Sequence, residues 1–181
     1  MSGMRTPRTV LALAVGTALL TACFADKKSA APALPPSTCF GVFTPAELAP
    51  FMGSGEEVRV DSSGDLGVNV SRKYARCNID VDGRSRFTAS IDRRPAGHVI
   101  VWGSEVEKHR PDVLPYAEHS RLWDSGVALV VNCKAADGDF DLMLFLDAVP
   151  DEVKLEERRP VFAALMKKFL AASREQANCP G

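Results

Sequence analysis

The side chains able to do chemistry are few, and most gather in one stretch. His109-Arg110-Pro111-Asp112 is followed by Glu118-His119. Imidazole and carboxylate are ligands that a divalent metal takes, so His109, Asp112 and His119 define one candidate activity, an exported metal-assisted hydrolase. Their spacing matches no helical motif such as H-E-x-x-H, and Pro111 and Pro115 break any helix that would align the three. Exposed histidines on an irregular polar loop explain the same residues with fewer assumptions. His98 stands alone and reads as a surface or core-edge histidine. Trp102, Tyr116 and Trp123 lie in the same region. They are suited to line a recess for a sugar or peptide, or to pack in the core.

Other reaction types lack their motifs. There is no G-x-S-x-G and no S-x-x-K with its partner motifs, which removes the serine hydrolases of known pattern. Gly53-Ser54-Gly55 lacks the third glycine of a dinucleotide loop and follows a helix where a strand is required. No catalytic residue is assigned and no metal or cofactor is expected.

The five cysteines divide as one and four. Cys23 closes an N-terminal apolar run, while Cys39, Cys77, Cys133 and Cys179 are spread over the remainder. A zinc–thiolate site needs close pairs such as C-x₂-C, and none is present. An even set of four in an exported chain argues for disulfides and against an activated thiol. Four cysteines allow three pairings, and sequence alone does not choose among them. We favour neighbours in order, Cys39–Cys77 and Cys133–Cys179, separated by 38 and 46 residues. Loops of that size are worth about 4 kcal/mol each in the chain-entropy model.

Residues 1–22 define the compartment. Arg5 and Arg8 form a short basic segment, no acidic residue precedes Asp26, and Val10–Leu20 is an apolar run of eleven residues. That run covers about half of a ~30 Å hydrocarbon core, too little for a permanent span. Its three-part shape is that of a secretory signal. Ordinary cleavage after Ala22 would put bulky Leu20 where a small residue is expected. Leu20-Thr21-Ala22-Cys23 instead resembles the lipobox of bacterial lipoproteins. The resemblance implies a diacylglyceryl group on the Cys23 thiol, cleavage before that residue, and a chain anchored on the outer face of the cell membrane. Two acyl chains, at about 0.8 kcal/mol per buried methylene, meet the two-signal condition for stable anchoring. The n-region has no adjacent Arg-Arg pair, which favours export in the unfolded state.

Loss of residues 1–22 removes two of the 22 basic residues and none of the 23 acidic ones, leaving a formal charge of −3. The basic clusters are short (Arg93-Arg94, Lys108-His109-Arg110, Arg158-Arg159), and the pI of the whole chain is near 6.3. This is not the basic stripe of a nucleic-acid binder.

Residues 23–38, small, polar and proline-rich after Cys23, read as a tether. Residues 39–181 form the domain, long enough to bury about two thirds of its unfolded surface around one core. Thr44, Pro45 and Glu47 supply N-cap, N1 and N3 of a capping box, with Phe43 set to staple onto Leu48. Pro50, Gly53 and Gly55 keep this helix short. Cys77, Ile79 and Val81 alternate with polar residues, Asp82-Gly83 suits a tight turn, and Phe87, Ala89 and Ile91 return on the same face. Val127–Cys133, a turn containing Asp137-Gly138, and Phe140–Leu146 repeat the pattern, which suggests an internal duplication. The second pair is nearly continuously apolar, as strands covered on both faces are. Glu56–Val60, Val68–Tyr74 and Val99–Trp102 are further strand candidates, and Ser104–Glu107 caps a short helix. Phe162, Leu165, Met166 and Phe169 make one apolar helical stripe beginning near Pro160. Cys179, just beyond it, is placed to staple this helix to the strand bearing Cys133.

A lipobox, a proline-rich tether, a cysteine shortly before Thr44-Pro45-Ala46-Glu47-Leu48, a mid-domain cysteine at a strand start and a last cysteine after the final helix together resemble the small actinobacterial cell-surface lipoproteins of unknown function. A Trp frequent in that group two residues after the second cysteine is Ile79 here. The resemblance implies export, anchoring and a small α+β domain, and brings no ligand or catalytic residue. The expected fold is one α+β domain with an antiparallel sheet of five to seven strands. It packs on the C-terminal helix and carries a short N-terminal helix and two disulfides. The expected function is a non-catalytic module that binds an extracellular protein, peptide or glycan, with an inhibitor or immunity-type protein as a further alternative.

Overall fold

In the computed structural model, residues 32–69, 71–133, 138–147, 154–177 and 179 are described. The signal segment, Cys23 and the Asp137 turn lie outside them. The helix-start chemistry at Thr44 forms as read. The Thr44 hydroxyl accepts from the Glu47 amide, the Glu47 carboxylate accepts from the Thr44 amide, and α1 (Pro45–Met52) begins there. The helix runs two residues past Pro50 because Phe51 and Met52 are fully buried. Just before it, Cys39 and Phe40 adopt left-handed backbone conformations (φ 47° and 61°). Such conformations cost of order 1–3 kcal/mol each for non-glycine residues. The Cys39–Cys77 disulfide and the stacking of Phe40 on Phe169 hold them.

Among the described residues seven strands follow: β1 (Val58–Ser62), β2 (Tyr74–Val81), β3 (Arg84–Arg94), β4 (Asp112–Leu114), β5 (Ala117–Trp123), β6 (Gly126–Cys133) and β7 (Gly138–Leu146). They form one antiparallel sheet in the order β1-β2-β3-β7-β6-β5-β4. The apolar β7 lies at its centre. Asp82 and Gly83, both at positive φ, make the type I′ turn between β2 and β3. α2 (Ser104–Lys108) is short, and α3 (Leu155–Gln176) packs across β5, β6 and β7 while α1 packs on β3. Phe51 stacks on Phe162 at 4.6 Å and Phe43 meets Phe87 edge-on at 5.8 Å, so aromatic rings join α1, α3 and β3. Both disulfides pair neighbouring cysteines, and Cys133–Cys179 ties the end of α3 to β6.

Several elements depart from the reading of the sequence. Of the stretch Val68–Tyr74, the described residues before Tyr74 form no strand. The Asn69 carboxamide accepts from the Ser71 and Arg72 amides, and the Arg72 guanidinium binds Asp65, so the chain turns until β2 begins at Tyr74. Val99–Trp102 is irregular, and α2 starts from Gly103 with no side-chain cap, so Ser104 is not its N-cap. α3 begins at Leu155 and carries Pro160 inside it. The proline removes one backbone hydrogen bond, while Phe162, Met166 and Phe169 are each fully buried behind it. Within the stretch read as tether, Leu34 packs on the core and Thr38 is buried and bridged to Phe43. Cys77 and Cys133 sit on the middle strands of two three-stranded halves, β1-β2-β3 and β5-β6-β7. Their registers differ: Cys77 faces Ala89 in mid-ladder, whereas Cys133 faces Gly138 at a ladder end.

Candidate binding site

α3 and α1 close one face of the sheet. Across the other face, over β7, β6 and β5, runs a strap, residues 95–111, which contains α2. Its first anchor is a pair of aspartates on β7. The alternation Asp139-Phe140-Asp141-Leu142 sends both carboxylates to the face opposite the helix. Asp139, only 3% exposed, accepts the backbone N–H of His98 at 2.8 Å. Asp141 accepts from Arg94 Nε at 2.8 Å and lies 3.4 Å from His98 Nε2. Its other oxygen, Oδ1, is buried with no hydrogen-bond partner among the described residues. Arg94 also reaches Asp92 at 2.8 Å, and the two carboxylates raise its pKa. One guanidinium thus bridges two carboxylates that would repel each other more strongly if they stood alone.

The second anchor is Arg121 of β5. Its guanidinium lies 5.3 Å from the centre of the Trp102 ring and 3.2 Å from Glu107, which ties both halves of the strap to the sheet. The third is Arg159 of α3. It binds Asp124 through Nε and Asp112 through Nη1, both at 2.7 Å, and donates to the carbonyls of His109 and Arg110. The carboxylates hold its pKa up.

Among the described residues, recesses open between strap and sheet. One, of about 220 Å³, is lined by His98, Ile100, Trp102, His119, Val130 and Asn132. It exists because β5 and β6 part. Their ladder ends at Ser120↔Leu129, so residues 130–132 of β6 have no β5 partner in register. A further recess of about 200 Å³, toward α3, shares His119, Val130 and Asn132 with the first. On the other side of the strap a shallower recess of about 300 Å³ is lined by Val106, His109, Trp123, Met143 and Phe145. Gly126 lets Trp123 lie flat on the sheet there. A Cβ at that position would come within 2.6 Å of the indole and 2.8 Å of the Leu144 carbonyl.

The residues named as metal ligands are not brought together. His109 lines one recess and His119 another, while Asp112 is taken up by Arg159. Among the described residues no three His, Cys, Asp or Glu side chains are grouped to hold an ion. The three aromatics also separate. Trp102 lines the first recess and Trp123 the shallow one, and the Tyr116 hydroxyl donates to the Ala163 carbonyl of α3 at 2.7 Å. His98, read as a surface or core-edge histidine, is half-buried at the sheet, and it is where the strap docks. Asp139 and Asp141 went unread, and Arg94 entered only as half of a short basic cluster. The available signal was two carboxylates alternating with apolar residues in a strand otherwise built for burial. No described helix is long and apolar enough to cross a membrane. Compared with protein-family models, curated proteins and solved structures, the chain has no match.

Proposed function

We propose that this chain is an extracytoplasmic lipoprotein, cleaved before Cys23, lipidated on that thiol and held at the outer face of the cell membrane. Its α+β domain acts there as a non-catalytic binding module. The observation that carries this reading is the cysteine count. Disulfides take Cys39, Cys77, Cys133 and Cys179. Cys23 is then the single cysteine left over, and it is the one that ends Leu20-Thr21-Ala22-Cys23. An odd thiol in an exported protein is a reactive liability, which a thioether to lipid removes. Two disulfides in one small domain also suit an oxidising compartment.

The recess between His98 and Asn132 is the binding site in this proposal. An indole, two imidazoles and a carboxamide offer stacking and hydrogen bonds, the chemistry of a peptide or glycan. The inhibitor reading draws support from Val99 and Val101, 77% and 91% exposed on the strap beside Trp102, since an exposed apolar patch marks a surface for a protein partner. Metabolic labelling with an alkyne fatty acid tests the anchor. Wild type should incorporate label and fractionate with membranes, and Cys23→Ala should do neither as a mature product. Label retained by Cys23→Ala, or an unlabelled soluble wild type, contradicts the proposal.

A further inference from the structure

The two edges of the sheet are built differently. β4 carries the devices that prevent edge-to-edge pairing. It is three residues long, its register to β5 is irregular, and Pro111 and Pro115 flank it. β1 has none of these. It is five residues long, contains no proline, and pairs with β2 in unbroken register. Among the described residues no strand lies beyond it.

The direction of its free amides follows from two hydrogen bonds. Ser63 N–H donates to the Arg76 carbonyl at 3.0 Å, and Asp82 N–H donates to the Glu57 carbonyl at 2.9 Å. Backbone groups alternate sides along an antiparallel strand. Those of residues 57, 59, 61 and 63 therefore face β2, and those of Val58, Val60 and Ser62 face outward. The side chains of Arg59 and Asp61 stand on the sheet face opposite the helices, 73% and 66% exposed, and their ion pair with each other is long at 4.0 Å.

We propose that β1 pairs antiparallel with β1 of a second copy of this chain, Val60 opposite Val60 on a two-fold axis, so that the two sheets become one. A partner strand must place an acid opposite Arg59 and a base opposite Asp61, and β1 read backwards supplies both. In this register Arg59 faces the other copy's Asp61 twice, at the closely spaced non-hydrogen-bonded positions where opposite charges are favourable. Val58, Val60 and Ser62 exchange about six backbone hydrogen bonds, two per hydrogen-bonded pair. The two half-buried Val60 side chains cover each other. This pairing does not depend on the lipid at Cys23.

The test is register-specific cross-linking of the full-length chain in intact cells. Paired Cα atoms at a hydrogen-bonded position lie about 5.5 Å apart, within disulfide reach. Val60→Cys should oxidise to a species of twice the monomer mass. Val58→Cys and Ser62→Cys should not link alone but should link when co-expressed. In the Val60→Cys background, Arg59→Asp should lower the cross-linked yield about tenfold, and Arg59→Asp/Asp61→Arg should restore it to within about twofold. Both side chains are exposed, so an unchanged thermal midpoint certifies the fold of each variant. Absence of the Val60→Cys product, equal linking at all three positions, a product of another mass, or failure of the charge swap to restore the yield each overturns the inference.

Discussion

Along β7 the side chains go alternately to two very different surroundings. Phe140, Leu142, Leu144 and Leu146 are at most 6% exposed beneath the helices. Asp139, Asp141, Met143 and Phe145 face the strap, where ion pairs, one backbone hydrogen bond and a cation–π contact hold the cover in place. Hydrophobic burial scales with area and needs no fixed geometry, whereas each polar contact has a modest net worth and fails when one partner is removed. The helix side should therefore carry the stability of the domain. The strap side should open locally at lower cost, the usual situation of a binding surface.

The largest test of this contrast sets Phe51→Ala against Trp102→Ala. Phe51 is fully buried between Phe87 and Phe162, and its loss should cost about 3–5 kcal/mol. Trp102→Ala should cost less than about 1 kcal/mol while removing a wall of the recess. Equal losses in denaturant midpoint would erase the distinction. Next come the disulfides. Replacing Cys39 and Cys77 together by alanine should cost about 4 kcal/mol. Loops of 38 and 46 residues predict that the Cys133/Cys179 pair agrees within about 0.2 kcal/mol. A much smaller loss at one pair would show that its ends are already held by packing.

Asp139→Ala sharpens the comparison from the other side. It removes the buried acceptor of the His98 amide and should cost about 1–3 kcal/mol. Hydrogen exchange should accelerate across residues 97–109 while β6 and β7 amides stay protected. Uniform acceleration would mean that the strap is part of the core. The smallest effect concerns pH. The Thr44 amide, and then Lys168, hold the Glu47 pKa down to about 2 from 4.5. The folded state thus favours the carboxylate, and its contribution is fully present above about pH 4.5 and lost as pH falls toward 2. Glu47→Gln should flatten the stability–pH curve in that window. The curve should keep its slope there if the capping box is already open.

The helix side was largely legible in the sequence because its signals are local or periodic. Thr44-Pro45-Ala46-Glu47 specifies a helix start through contacts three residues apart, and Phe162, Leu165, Met166 and Phe169 spell out their own face. Asp82-Gly83 specifies its turn. The strap side was not legible, since its determinants are distant in sequence. His98 depends on Asp139 and Asp141, Trp102 on Arg121, and the region before β4 on Arg159. β4 and β5 went unread for the same reason, and Val99–Trp102 looked like a strand because a short apolar run reads as one, whereas Val99 and Val101 face outward and Ile100 and Trp102 line the recess. The histidines drew attention by type, but imidazole spacing says nothing about which side of the strap each residue will occupy.

Intact-mass measurement of the chain extracted from membranes with detergent bears most directly on the central claim. The expected species is a polypeptide beginning at Cys23, heavier by a diacylglyceryl group and lighter by the four hydrogens that two disulfides remove. A mature N-terminus at any other residue, an unmodified Cys23, or four further thiols that alkylate without reduction would contradict it.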